Sequence, residues 1–407
     1  MGATHNITAP DENVVLDGRY QQIEVILKVA ERCNLACSYC YYFFGGDESY
    51  KDRPPLMSLD TIVSTARFLR DGMLDLNIPT VKVVFHGGEP LLLKPSVFDA
   101  MCEAIREEFG TVANPRFHVQ TNALLINDRW LEVLSKHQVN VCVSIDGEKA
   151  LHDAYRYDRK GRPTFDKTIE KIRLLKERAS EHPCLKPSVL MVLRAGYDYR
   201  DIFKFLVDDL GVSSVGVLLP DSSHEDGIPD GRPAEEYGDA LWDLFEEWSR
   251  RPAVRFREGE KALAPFSKMI PGPFTGRVRN PVIIVQSDGF LSIDDSYIPA
   301  KSWRQSMPTT SVSDTTLRDW LSQPIFRNIE GAFASLPDGC RGCTWANMCG
   351  GGDLENRYSS ERGLNNPSIY CNGLQTYYER VVRYLARNQY PLDDIMSVLD
   401  AEYVGLR

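Results

Sequence analysis

Positive charge is in short supply in this chain. Its 47 Lys and Arg residues stand against 57 Asp and Glu, a net charge of −10. Non-specific nucleic-acid binding needs a basic surface, so no nucleic-acid partner is expected. Most of the negative charge reads as solvated surface. Long apolar runs are missing as well. No stretch reaches the ~18 apolar residues that suggest a membrane span, and the polar opening Met1–Tyr20 lacks the apolar centre of a secretory signal. A cytoplasmic location with no membrane partner is therefore expected. Internal repeats and low-complexity tracts are absent, and no cysteine occurs between Cys184 and Cys340. The ten cysteines are crowded elsewhere. In a reducing compartment, that points to metal or catalysis rather than disulfides.

Three of them lie in Glu31-Arg32-Cys33-Asn34-Leu35-Ala36-Cys37-Ser38-Tyr39-Cys40. Three closely spaced thiolates on one loop suit a cubane iron–sulfur cluster, which wants soft ligands. A cubane has four irons, so three cysteines leave one iron open to bind and act on a small molecule. Zinc is the competing reading, but its sites usually pair one Cys-x2-Cys with another, and no such partner lies nearby.

At 407 residues the chain has room for two or three domains. From about Gln22 to Leu219, strand-like and helix-like patterns alternate. Apolar runs at Ile23–Val29, Val81–Phe85, Phe117–Gln120, Val139–Ile145, Ser188–Leu193 and Val215–Leu219 predict strands. Amphipathic stretches at Ser58–Met73, Val97–Phe109, Asp128–Lys136, Phe165–Ala179 and Tyr199–Leu210 predict the helices between them. Such alternation implies a parallel sheet with right-handed crossovers, whose functional residues gather at the C-terminal strand ends. Leu219 to about Pro233 reads as a linker. A hairpin is predicted across Val282–Gln286 and Phe290–Ile293, then a Cys-rich segment and a closing helix near Leu374–Asn388.

The strand ends carry the polar groups. The second closes on Phe85-His86-Gly87-Gly88-Glu89-Pro90, the third on Gln120-Thr121-Asn122, the fourth on Ser144-Ile145-Asp146-Gly147. Two glycines admit a ligand close to the backbone. Taken singly, each of these ends is equally a turn or a helix cap.

Taken together with the Cys33/Cys37/Cys40 loop, the set resembles the radical S-adenosylmethionine (SAM) superfamily over roughly residues 20 to 220. The resemblance implies an α/β fold, a partial (β/α)6 TIM-like barrel, in which Cys33, Cys37 and Cys40 hold a 4Fe–4S cluster. It implies that the open iron chelates the amino and carboxylate groups of SAM, whose reductive cleavage yields a hydrogen-abstracting 5′-deoxyadenosyl radical. Gly87, Gly88 and Glu89 would receive the SAM amino group. Ser144 and Asp146 would face the ribose or carboxylate. Arg156, in His152-Asp153-Ala154-Tyr155-Arg156, would lie near the carboxylate, unless it is a surface arginine. Leu193 would offer a backbone contact to adenine, unless it is core.

Near the C-terminus, Cys340, Cys343, Cys349 and Cys371 form a set of four, enough to close a site. Four-cysteine zinc is the alternative. Beside a radical SAM core, this spacing resembles the SPASM auxiliary-cluster domain of peptide-modifying enzymes. Where that family places ligands of a second, inner auxiliary cluster, this chain has Asp353 and Asp294. Two 4Fe–4S clusters are therefore expected, one SAM-binding and one auxiliary. Asp295 is a possible base by resemblance to sulfatase-maturing relatives. Cys102 and Cys142 read as buried apolar thiols, and neither they nor Cys184 is assigned any chemistry.

The expected organisation is a tail (1–20), a radical SAM barrel (21–220), a linker and bridging helix (221–280), a Cys-rich β-hairpin/helix auxiliary-cluster domain (281–375), and a C-terminal helix and tail (376–407). The function this implies is peptide maturation. The segments Gly45–Ser58 and Gly350–Ser359 resemble maturases that join an aromatic ring carbon to a β-carbon, forming a cyclophane. The alternatives are a sulfatase-type formylglycine maturase, a thioether-forming peptide maturase and, from another class, a non-catalytic iron–sulfur electron-transfer or redox-sensing protein. The expected partners are a precursor peptide and an electron donor such as flavodoxin or ferredoxin.

Overall fold

A computed structural model describes residues 16, 18–46, 48–267, 280–293 and 309–400. The strands are β1 (Ile23–Ala30), β2 (Val81–Gly87), β3 (Arg116–Thr121), β4 (Asn140–Ser144), β5 (Ser188–Val192), β6 (Ser214–Leu218), β7 (Arg255–Phe256), β8 (Val282–Val285) and β9 (Leu291–Ser292). They form one sheet in the order β7-β6-β5-β4-β3-β2-β1-β8-β9. Every pair is parallel except the β8–β9 hairpin.

Alternation sets the two faces of the sheet. In β1, Ile23, Val25, Leu27 and Val29 are buried under the outer helices, while Glu24 and Ile26 are only partly covered on the other face. The connecting helices are amphipathic. The Leu59–Leu76 helix buries Ile62, Ala66, Leu69, Met73 and Leu76, starts at Ser58, whose hydroxyl accepts from the Thr61 N–H, and ends at left-handed Asn77.

Polar groups from the ends of β1 through β6 line a single cavity. At ~4.8 Å between strands, a flat sheet would put β1 and β6 about 24 Å apart. The sheet therefore curls into the partial barrel. The sequence-predicted hairpin forms at β8–β9 and joins this same sheet, with β8 lying parallel to β1 from Glu24↔Val282 to Leu27↔Val285. The predicted helix Tyr199–Leu210 is α-helical over Tyr199–Lys204 and π-helical over Phe205–Asp209.

The predicted linker after β6 is built into the fold. Asn356 donates from Nδ2 to the carbonyls of Pro220 (3.1 Å) and Ser222 (2.8 Å), and Tyr370 Oη donates to Pro220 at 3.3 Å. The helices Ala234–Ser249 and Cys371–Arg387 cross at Gly238 and Gly373. A Cβ at either glycine would overlap a carbonyl of the other helix. Among the described residues, no helix is long and apolar enough to cross a membrane.

Candidate functional site

The cavity holds about 420 Å³ and opens at the C-terminal ends of the strands. Cys33, Cys37 and Cys40 line it together. Their loop leaves β1 and is anchored on several sides. Ala36 and Ser38 donate backbone N–H groups to Tyr157 (2.9 Å) and Tyr155 (3.0 Å), and Arg159 Nε donates to the Cys33 carbonyl at 2.7 Å. Buried Glu31 accepts from Tyr42 Oη and from the Ser287 N–H, linking the loop to the turn after β8.

Burial, then the nearby Glu89 carboxylate, pushes the Cys33 thiol up to about 12. Burial raises Cys37 and Cys40 as well. Three thiolates are thus costly here without a cation. This donor set fits a cationic iron–sulfur centre that would be held by three protein ligands.

Gly87 and Gly88 line the cavity. Their lack of side chains also has an internal cause. A Cβ on Gly87 would overlap the Ala30 carbonyl, one on Gly88 the Arg32 carbonyl, and Gly87 has φ +123°. The N–H groups of Gly88 and Glu89 are already engaged with Ala30 (2.7 Å) and Arg32 (2.9 Å). The Glu89 carboxylate accepts from Thr121 Oγ1 (2.7 Å), Leu91 N (2.9 Å) and Asn122 N (2.8 Å), clamping the ends of β2 and β3. Burial pushes this carboxyl up to about 7 against those hydrogen bonds. His86 lines the same wall. Its Nδ1 faces Lys28 Nζ at 3.3 Å and accepts from the Gly87 N–H at 2.8 Å. Burial, then Lys28, holds the ring well below its ordinary pKa. It is neutral, with its proton on Nε2.

Asp146 and Arg156 form the second feature. Arg156 donates from Nε (2.8 Å) and Nη2 (3.2 Å) to the two Asp146 oxygens, which also accept from Tyr39 Oη and from the Val192 N–H at 3.2 Å. Burial would raise the Asp146 carboxyl, but the Arg156 charge and these donors hold it below the usual range. Burial opposes charge on Arg156 too, and Asp146, Tyr39 and Cys37 outweigh it. Arg156 and Ser144 reach the cavity, whereas Asp146 is 1 % exposed and stands behind the wall, positioning Arg156 and Tyr39. The Leu193 side chain is core and its N–H donates to Leu218 at 2.8 Å. Its neighbours Leu190, Met191 and Val192 line the cavity instead.

Arg194, Gln120, His86 and Pro220–Ser222 also line the cavity. The sequence signal for them was present. Each stands at the C-terminal end of a parallel strand or just beyond it, the rule applied above to Ser144 and Glu89.

Cys340, Cys343, Cys349 and Cys371 line a small second cavity together with Trp345, Ser368 and Gln375. Burial pushes Cys349 up to about 12 and Cys340 up to about 11. Cys371 opens the helix Cys371–Arg387, where the helix dipole favours a thiolate. Four thiols converging in this way fit a closed metal site. Asp353 lies apart from them, 3.4 Å from Lys261 Nζ. Asp294 and Asp295 lie outside the described residues.

The class defined by these features is an α/β-barrel enzyme whose barrel mouth gathers three cysteines suited to holding a metal centre. Residues 27–206 match the family described as the Radical SAM superfamily. The serine-type anaerobic sulfatase-maturating enzyme of Bacteroides thetaiotaomicron is 26% identical over 385 residues, 89% of each chain. Native anSMEcpe with bound AdoMet and Cp18Cys peptide superposes with a TM-score of 0.72 at 20% identity, covering 93% of this chain and 99% of that one. Streptococcus suis SuiB bound to precursor peptide SuiA superposes at 0.58 and 16% identity, covering 86% and 75%. These superpositions establish the shared fold.

Proposed function

We propose that this protein is a radical SAM maturase of a ribosomally made peptide, with one SAM-binding and one auxiliary 4Fe–4S cluster. The observation that carries the reading is the convergence of the Cys33/Cys37/Cys40 loop with polar ends from five further strands on one cavity. When bound, the first cluster and SAM supply a hydrogen-abstracting radical. The chain's own residues hold and orient. Cys33, Cys37 and Cys40 are the cluster ligands, the Gly87–Glu89 turn brings backbone acceptors to the SAM amino group, and Ser144 and Arg156 face its ribose and carboxylate. Leu190, Met191 and Val192 give an apolar wall that excludes water from a radical.

The bond formed is proposed to be a carbon–carbon cross-link between an aromatic ring and a β-carbon. Cys340, Cys343, Cys349 and Cys371 would hold the auxiliary cluster, which would supply one-electron redox capacity for such a cross-link. A second reading, formylglycine formation, is favoured by the sulfatase-maturating relative that spans nearly the whole chain. Against its usual form stands Asp353, paired with Lys261 where an inner-cluster cysteine is expected.

The test is coexpression with a short precursor peptide encoded beside the enzyme, followed by mass spectrometry. Loss of two hydrogens without aldehyde reactivity is expected. The same loss with an aldehyde on serine would install the second reading. If SAM and dithionite under anaerobic conditions give no deoxyadenosine, the electron-transfer alternative takes over.

A further inference from the structure

Arg194 stands just beyond β5 with its backbone locked. Its N–H donates to Tyr199 Oη at 2.6 Å, and its carbonyl accepts from the same hydroxyl at 3.0 Å. The residue is only 6 % exposed and lines the main cavity. Its guanidinium carbon lies 4.8 Å from the Tyr39 ring centre and 4.6 Å from that of Tyr155. Tyr39 belongs to the cluster loop, so the cation sits beside the proposed reaction centre.

No carboxylate or hydrogen-bond acceptor among the described residues engages this guanidinium, and its buried Nε has no partner. The other basic groups among the described residues lining the cavity are accounted for. Arg156 is held bidentately by Asp146, and His86 is neutral. Of the acids there, Glu89 is tied to β3, and Asp221, on the wall after β6, forms no ion pair with Arg194. Tyr237 lies within range of the Arg194 charge, and its buried Oη likewise lacks a partner. Two aromatic faces attract a cation, but they accept none of the guanidinium's N–H bonds. A buried charge left in this state is costly unless a ligand completes it. A planar fork of N–H donors is matched best by a carboxylate.

We propose that Arg194 is a second anion receptor of the cavity, beside Arg156, and takes a carboxylate of the bound ligand. This rests on the proposed radical SAM peptide chemistry, which offers two sources: the methionine carboxylate of SAM, or an acidic side chain or C-terminus of the peptide.

The test titrates anaerobically reconstituted wild type, Arg194→Gln and Arg194→Lys with SAM, with decarboxylated SAM and, in the presence of SAM, with N-acetylglutamate N-methylamide. Arg194→Gln is expected to weaken one carboxylate-bearing probe by about 10- to 100-fold, with part of the loss restored in Arg194→Lys. A loss for SAM, with decarboxylated SAM unaffected, assigns the methionine carboxylate. An unchanged SAM affinity with a loss for the glutamate probe assigns the peptide. Unchanged affinity for both, or no binding of either to wild type, overturns the proposal. Failure of wild type to bind SAM alone would refute the radical SAM reading and leave the glutamate arm to decide this one. SAM-free Arg194→Met should melt no lower than wild type, because it removes an uncompensated charge. A fall of several degrees would make Arg194 a structural prop and overturn the receptor role.

Discussion

Replacing Asp146 with Ala should damage both stability and the cluster loop. The carboxylate receives Arg156 Nε and Nη2, Tyr39 Oη and Val192 N, so it joins three segments: the cluster loop, the stretch after β4 and strand β5. Without it, Arg156 keeps its charge in a buried site and has no counterion. Breaking one side of such a pair costs about 3–5 kcal/mol. In the pair variant Asp146→Ala/Arg156→Met no buried charge remains, so the loss should shrink to about half or less, a coupling that double-mutant comparison reads directly. The assay is anaerobic urea unfolding of the reconstituted protein, with iron content measured alongside. Iron should fall in Asp146→Ala because Tyr39, between Cys37 and Cys40, loses its anchor. The pH dependence has a definite sign. The folded Asp146 carboxyl is held below its ordinary value, so its contribution is complete above the ordinary carboxylate pKa and is lost as pH falls through the folded one. An Asp146→Ala protein that unfolds at the wild-type urea concentration, or a pair variant that loses the sum of the two single losses, would refute this account.

Three further outcomes follow from named contacts. Burial, then Arg156, holds His152 down at about 4 from 6.5, so its contribution is full above the unfolded value and is lost as pH falls from there toward 4. The amount is at most about 3 kcal/mol, and His152→Gln should flatten that part of the stability profile; an unchanged slope would refute it. Gly373→Ala puts a methyl into the Ala234 carbonyl, so the two helices must part at a cost of about 1–3 kcal/mol. Because Cys371 lies two residues upstream, the auxiliary iron should be lost first, and a variant that keeps full iron and stability would contradict the close crossing. Reconstituted wild type should bind about eight irons, and alanine replacement of either cysteine set should leave about four; about twelve in wild type would contradict the loss of an inner cluster.

What was legible in the sequence was local. The six barrel strands could be placed within a residue or two because alternation and apolar runs record which face of a strand is covered. Cys33, Cys37 and Cys40 could be grouped at one place because short spacing on one loop limits how far apart three thiols can be. The strand ends that this rule picks out line one cavity, and applied without exception it would have reached Arg194 and Asp221.

The tertiary structure decided which way each polar group is used. The sequence offers Glu89 and Asp146 as carboxylates at strand ends. Only the fold turns Glu89 onto β3 and sets Asp146 behind Arg156, because a buried carboxylate must find donors and those donors come from other strands. The stretch after β6 reads as a linker by composition, yet Asn356 and Tyr370 from the C-terminal region make it a cavity wall. The hairpin was predictable from its turn, but its parallel pairing with β1 depends on an edge the barrel leaves open. Arg194 differs from Arg156 on the same cavity in that no carboxylate among the described residues reaches it, and that is a property of the packed molecule, because a side chain's partner is set by contacts distant in sequence.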